Sequence, residues 1–564
     1  MKKFLLNSIL FFSFICGVAQ IPTATWGYIP VQKGAGNQPI QIISDMAIDK
    51  QGNIITLGTI TGVQADMDPS PNAADTSFSE FGSNYFFSKI SPSGKLIYIK
   101  YFRKAFGTSF ILFTPRRILV DNNNDIIIAS DFYGKVDFNP APNDSANLTS
   151  FEATYPDMAI AKYTHDGIYQ WAFNIKGNGS SSVKSLYASM SLTSNNDIVL
   201  NTQLTGTVDV DPSANVVNAI SGNKGCVLLG YSSMGAYKWH TVSTVTTSYG
   251  VSGFTCATDS LSNAYYISVG GYASTIYKAN ANGSIVWNKT IGTGVYPYTN
   301  RTEISSIFTN KNGDFVVHGS FINLMNFDIN GGFDTVRSAT GLANEYFIAS
   351  YNTNGILLWK KTFPNTVLFG KGFFDNSGNY HCVGSIKDDL VFNGVTIKGG
   401  VGTNGAFYAK FNPSGTLLNA SGLGVLSTYG GILPGTNNSM VTFGNITGTV
   451  DIDATPSILN VTSTYSNSFT AFYGVATSNG LSGLSNLKNI KVYPNPTNNY
   501  LNLELGSSEF TEFEIYSCTG AKLLEGEIQK GMPIDVRELV NGYYFLKLKS
   551  NENVVSQSKF CIQK

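Results

Sequence analysis

Acidic residues recur two positions apart on extended segments of this chain. Gly134-Lys-Val-Asp137-Phe-Asn139-Pro140, Gly206-Thr-Val-Asp209-Val-Asp211-Pro212 and Gly448-Thr-Val-Asp451-Ile-Asp453 share one pattern. Asp66-Met-Asp68-Pro69 follows it more loosely, and Asp328-Ile-Asn330 is a degenerate copy. Side chains at i and i+2 of a strand face the same way, so each pair could offer a hard cation two oxygens. Calcium is the ion such oxygens suit, with Asp66, Asp68, Asp137, Asn139, Asp209, Asp211, Asp451 and Asp453 as candidate ligands. Calcium takes about six to eight oxygens, and the pairs lack the denser Asp/Asn/Gly spacing of a dedicated loop. The competing role is structural, because Asp, Asn and Pro shape the exit from a strand through local hydrogen bonds.

Other chemistry is sparse. The four histidines, His165, His240, His318 and His381, fall at different points of the chain, and the last two lie inside apolar strands. That predicts core imidazoles and no metal cluster. No G-x-S-x-G elbow, H-E-x-x-H helix or phosphate loop occurs, so no catalytic residue is assigned. Paired carboxylates for glycosidic cleavage would have to converge from separate segments, and no pair stands out. Lys and Arg total 37 against 37 Asp and Glu. Without a clustered cationic excess, nucleic acid is not an expected partner. Cys226, Cys256, Cys382, Cys518 and Cys561 form a sparse set with no C-x-x-C spacing and read as buried thiols, with Cys518 and Cys561 the one pair to test.

The elements that must position these groups are repeats. Gly167-Ile-Tyr-Gln-Trp171, Gly235-Ala-Tyr-Lys-Trp239, Gly283-Ser-Ile-Val-Trp287 and Gly355-Ile-Leu-Leu-Trp359 place a tryptophan four residues after a glycine, and Gly94 with Tyr98 and Gly415 with Asn419 continue the series. Each unit reads as four strands. The first runs Asp45 to Asp49, then Ile54 to Gly62, Tyr85 to Ile90 and through Tyr98; later units start at Arg117, Leu186, Phe254, Ile304, Gly372 and Gly431. Gly, Asn, Pro and Ser clusters between alternating apolar runs supply the turns. The last unit lacks its tryptophan-bearing strand, and the fifth tryptophan, Trp26 in Thr25-Trp-Gly-Tyr-Ile29, stands alone near the N-terminus. Pairing it with Phe469 to Val475 would complete the last unit and cover an open edge. The fold class expected is therefore all-β, a seven-bladed β-propeller over residues 20–480 closed by an N-terminal strand. It resembles the bacterial extracellular β-propeller repeat proteins, whose blades carry a D-x-x-G-N turn and a G-x-x-x-W strand. The ring at the Trp position is expected to pack between blades, the alternative being exposed aromatics that stack on sugars.

Residues 1–19 read as a secretory signal: Lys2 and Lys3, the largely apolar run Phe4 to Ile15, then Gly17-Val-Ala19. No later run reaches the length of about 20 apolar residues a membrane helix needs, so no transmembrane segment is expected after cleavage. After a Gly/Ser/Asn linker at 481–488, residues 489–564 change character. Short alternating runs there predict a small Ig-like β-sandwich. Tyr493-Pro494-Asn495-Pro496, the Ile515-Tyr516 segment leading to Gly520, Gly542-Tyr543-Tyr544 and Lys559 in the last strand closely resemble the type A sorting domain of the type IX secretion system. The resemblance implies the type IX machinery and a surface sortase as partners, and secretion to the outer-membrane surface of a Gram-negative bacterium.

The function expected is that of a secreted or surface-displayed binding module for a protein or glycan, with no cofactor beyond the calcium considered above. The alternative is a secreted propeller hydrolase or lyase acting on polysaccharide. The second-to-third loops, Asp66 to Asn84, Asp137 to Tyr155 and Asp209 to Gly222, are long and carry the acidic pairs, so their face is the expected binding face.

Overall fold

The computed structural model describes residues 23–28, 31–32, 40–61, 65–68, 76–77, 83–104, 112–141, 143–151, 156–176, 182–244, 255–270, 273–292, 300–339, 344–392, 395–397, 405–425, 428–436, 439–451, 460–474, 491–504, 510–517, 522–529, 531–549 and 555–564. These residues form strands and turns, with no α-helix among them, and divide into two compact units, Met1–Ala476 and Thr477–Lys564.

In the first unit, strands pair in chain order into successive antiparallel four-stranded meanders, the first of which is extended at its outer edge by Lys135–Asp137 and Asn147–Thr149 from the next repeat. The first contains Ile40–Ile48, Ile54–Thr61, Ser83–Ile90 and Leu96–Lys104, and the second Leu112–Val120, Ile126–Tyr133, Asp157–Tyr163 and Tyr169–Ile175. Four more begin with Ser182–Leu192, Cys256–Thr258, Arg301–Thr309 and Val367–Phe374. The last holds Thr428–Pro434, Met440–Asp451 and Asn460–Gly474, and its fourth strand comes from the other end of the chain. Thr23–Tyr28 pairs antiparallel with Asn460–Gly474, Trp26 opposite Phe472, as the lone tryptophan predicts.

Middle strands such as Ile126–Tyr133 and Asp157–Tyr163 are buried along almost their whole length, which explains their near-continuous apolar runs: both faces of each sheet are covered by neighbours. Ile127 and Met158 of the second sheet pack on Leu200 and Leu229 of the third, and Val383 and Ala406 of the sixth on Ile446 and Phe469 of the last. The last sheet in turn packs on the first, with Val441 and Phe472 against Ile54 and Phe86.

The repeated turn has a local cause. Asp49 Oδ1 accepts hydrogen bonds from the backbone N–H of Gln51 (3.0 Å) and Asn53 (2.8 Å), and Asp121, Asp259 and Asp375 do the same in their units. A lysine of the third strand reaches the same carboxylates: Lys89 lies 2.8 Å from Asp49, Lys162 2.8 Å from Asp121 and Lys410 3.0 Å from Asp375. Burial pushes the Asp49 carboxyl up, but hydrogen bonds from Lys89 and Asn53 outweigh it and hold the group below the usual carboxylate value.

Several first strands start about five residues before the expected points, at Ile40, Leu112 and Val367, because each carries a β-bulge. Register slips between Ile43 and Asp45, at Arg116, and between Phe369 and Gly372. An extra residue moves later side chains to the other face, so the alternation is legible only after the bulge.

The Gly-to-Trp spacing joins neighbouring units. A Cβ built on Gly283 would lie 2.3 Å from Cε3 of Trp239 in the preceding sheet, one on Gly415 2.5 Å from Trp359 Cγ, and one on Gly235 3.2 Å from Trp171. The glycine turns the chain at positive φ and also leaves the space its neighbour's indole occupies. Gly283→Ala is therefore expected to cost about 2 to 4 kcal/mol, from left-handed backbone strain plus overpacking. Gly331 has a φ of 92° but nothing within 4 Å of a Cβ, so Gly331→Ala should cost only about 1 kcal/mol. Equal losses for the two variants in denaturant titrations would contradict this account.

Candidate functional site

In the second unit Lys491–Tyr493, Tyr500–Glu504 and Ile534–Asp535 form one antiparallel sheet, and Lys522–Glu527, Glu512–Ser517, Gly542–Lys549 and Val555–Ile562 another. Leu501 and Ile534 of the first share a core with Ile515, Leu546, Leu548 and Phe560 of the second. Lys522–Glu527 is a strand that alternation alone does not reveal. It is a polar edge in which even Leu523 is 46% exposed, so it lacks the apolar alternation that marks a buried strand.

The motif residues gather at the edge of the last strand. Tyr493, Pro494, Asn495 and Pro496 are exposed. The Asn495 carboxamide acts as a peptide group would: its Nδ2 donates to Lys559 O (3.2 Å) and its Oδ1 accepts from Cys561 N (2.8 Å). Thr497 N donates to Cys561 O at 2.8 Å, and Gln563 N to Thr497 O at 2.9 Å, so the segment runs along the strand and occupies its edge. Gly542 pairs with Ile562 and Tyr543 with Cys561 across the hairpin. The Lys559 ammonium stands 4.2 Å over the exposed Tyr543 ring, a cation–π contact. Asn495, Tyr543 and Lys559 thus form one surface. Cys561 is a half-buried free thiol. Gly520 and Cys518 lie outside the described residues.

The acidic pairs sit at the exits of the second strands. Asp137 Oδ1 accepts from Asn139 N (3.0 Å) and Ala146 N (2.8 Å), while Asn139 Oδ1 accepts from Ala141 N (3.0 Å). Asp209 repeats this with Asp211 N (3.2 Å) and Val217 N (2.9 Å), and Asp211 Oδ1 accepts from Ser213 N (2.9 Å). A lock absent from the sequence reading holds the same loops. Tyr163 Oη donates to Phe138 O (2.8 Å) and Tyr231 Oη to Val210 O (2.9 Å), each on the residue between the two polar positions, and Tyr351 Oη donates to Phe327 O (2.9 Å). Phe327 stands between Asn326 and Asp328, and Asn326 Oδ1 accepts from Asp328 N (3.1 Å) and Asp334 N (2.9 Å), so the pair in this sheet lies two residues earlier than Asp328 and Asn330. Asp68 Oδ1 accepts from Leu96 N at 3.3 Å. The side chains of Asp66 and Asp451, and all of Asp453, lie outside the described residues. Among the described residues no three His, Cys, Asp or Glu side chains come together to hold a metal ion.

The histidines sit apart from one another. His318 is fully buried with Nε2 2.7 Å from Tyr380 Oη, and His381 meets Asp375 Oδ2 at 3.1 Å and Tyr408 Oη at 3.0 Å. Cys226, Cys256 and Cys382 are buried free thiols, and burial pushes Cys256 up to about 12.

A cavity of about 610 Å³ is lined by residues in or beside the first strands of the seven meanders, including Asp45, Arg117, Ser189, Thr255, Ser306 and Lys371. It adjoins a smaller one bounded by turn residues such as Asp121, Asn196 and Asp259. It thus opens toward the short turns, away from the expected long-loop face. Asp45, Arg117 and Lys371 were missed as a group, although each interrupts an apolar strand with a charge, a signal that emerges once the repeats are superposed.

Residues 491–563 match the family described as the secretion system C-terminal sorting domain. The protein is a type IX secretion cargo, secreted or held at the surface of a Gram-negative bacterium. No helix among the described residues is long and apolar enough to cross a membrane. No curated protein matches the chain. Solved structures similar to it include the Dos1 propeller (7% identity, 80% of this chain and 95% of that one, TM-score 0.39). A Bacteroides caccae protein of unknown function is 14% identical over 55% of this chain and 89% of that one, TM-score 0.29. Virginiamycin B lyase from Staphylococcus aureus is 13% identical over 63% and 94%, TM-score 0.28.

Proposed function

We propose that residues 20–480 form a seven-bladed β-propeller closed by the N-terminal strand, joined through a linker at 481–488 to an Ig-like sorting sandwich at 489–564, and that the propeller is a binding module displayed by the type IX machinery. The Trp26-to-Phe472 pairing and the packing of the last sheet on the first support closure. The observation that carries the export reading is the exposed Tyr-Pro-Asn-Pro segment clamped by Asn495 to the last strand, inside the residues that match the sorting family. A surface sortase is the partner expected to remove the module after translocation, and a protein or glycan is the ligand class of the propeller.

Removing residues 489–564 should leave a folded propeller in the periplasm, because each unit has its own core. Protease shaving of intact cells reads the result. Cleavage of the truncated chain at full-length levels would refute the sorting role.

A further inference from the structure

We infer that the axial cavity is a binding site for an anionic sugar, whose carboxylate is held by Arg117 and Lys371. The inference deepens the binding-module reading by naming a ligand class, and the titrations below are independent of export.

The charges carry the argument. Asp45, Arg117, Cys256 and Lys371 are the titratable residues that line the cavity. The Asp45 side chain is only 2% exposed and forms an ion pair with Lys371. Its oxygens also accept from Met46 N (2.9 Å) and Ile118 N (3.2 Å), so its capacity is committed. Arg117 donates to the Arg116 carbonyl (2.9 Å), and among the described residues no carboxylate pairs with its guanidinium. Two cations therefore face one carboxylate, which leaves one positive charge uncompensated inside an enclosure. Burial lowers the Lys371 ammonium, Asp45 opposes that shift, and the nearby Arg117 charge lowers it further. Asp45 links the two, accepting from Ile118 N beside Arg117 and pairing with Lys371, so both cations flank one carboxylate and a bound anion would offset their surplus charge.

The rest of the lining selects among anions. A single surplus charge favours a monoanion, and a guanidinium fork matches a carboxylate in two parallel hydrogen bonds. Ser189, Thr255, Ser306 and Thr309 line the space, and Ser189 Oγ and Thr255 Oγ1 accept from Cys256 N (3.2 Å) and Ile307 N (3.3 Å), which leaves each a proton to donate. Hydroxyl side chains suit the hydroxyls of a sugar, and about 610 Å³ accommodates one or two rings. β-Bulges place the charges, since Asp45 and Arg117 follow the extra residue in their strands and Lys371 lies within its own.

The test is calorimetric titration of the chain from residue 20 onward with D-glucuronate, D-glucose and inorganic phosphate. Glucuronate should bind, weaken as salt is raised, and bind more tightly than either comparison compound. Arg117→Gln should lower its affinity about tenfold or more, the loss expected for a charge-assisted hydrogen bond. Asp45→Asn should raise it, because it removes the competing negative charge. If Arg117→Gln fails to fold, Arg117→Lys keeps the charge without the fork and should show a smaller loss. No glucuronate binding, equal binding of glucose, tighter binding of phosphate, or weakening by both the Arg117 and Asp45 variants would each overturn the assignment.

Discussion

Deleting residues 21–36 is expected to destabilise the first unit more than any point substitution in it. The segment supplies Thr23–Tyr28, whose partners run from Gly474 to Thr470 in the last sheet. About five ladder hydrogen bonds near 1 kcal/mol each put the loss on the order of 5 kcal/mol. The deletion also bares the edge of Asn460–Gly474, whose buried Phe469, Ala471 and Tyr473 hold the last sheet to the sixth. A bare strand edge is a template for intermolecular pairing, so aggregation on heating should accompany the lower Tm. A deletion variant that melts with the parent and stays monomeric would mean that the sheet is complete without this strand.

Acid should destabilise the protein well above the range in which carboxylates titrate. Burial lowers His318 to about 3. Burial also lowers His381 to about 4, against an opposing hydrogen bond from Asp375 and with a further lowering by Lys410. An unfolded imidazole titrates near 6.5. Below that pH the unfolded chain takes up protons that the folded chain refuses, so stability is complete above about pH 7 and falls as the pH drops through 6.5 toward 4 and 3. At pH 5 the loss is about 2 kcal/mol for each histidine, or about 4 kcal/mol together. Asp131, which burial raises to about 6 against the lowering by Arg116, runs the other way and returns about 1 kcal/mol at pH 5. Asp375 adds no offset. Burial pushes its carboxyl up, but hydrogen bonds from Asn379, His381 and Lys410 outweigh it and hold the group far below the usual range, so its contribution is lost only in stronger acid. Melting curves between pH 7.5 and 5 should show the fall, and His381→Gln should remove about half of it. An unchanged Tm across that window would show that neither imidazole is held neutral by the fold.

The legible parts of this chain are those fixed by short-range geometry. The D-x-x-G-N turn could be read because one carboxylate accepts two backbone N–H groups within four residues, as at Asp49 and Asp375. The acidic pairs could be read as loop formers or as cation ligands, and the sequence left both open. What it lacked was the set of tyrosines, Tyr163, Tyr231 and Tyr351, that reach into those loops from the third strand. Nothing local ties Tyr163 to Phe138, since the hydrogen bond exists only once the sheet has formed.

Repeats, turns, the orphan strand and the sorting module were determined by the sequence alone, because period-two alternation, positive-φ positions and ordered motifs act over a few residues. The tertiary structure decided which surfaces meet. It set Trp239 against the glycine of the next unit and clamped Asn495 onto a strand 64 residues later. It also brought Asp45 to Lys371, 326 residues away, and to Ile118 N, next to Arg117 in the lining of the same cavity. Such groupings depend on how bulged strands of different sheets pack together. Bulge positions and inter-sheet packing are long-range outcomes that no window of sequence encodes.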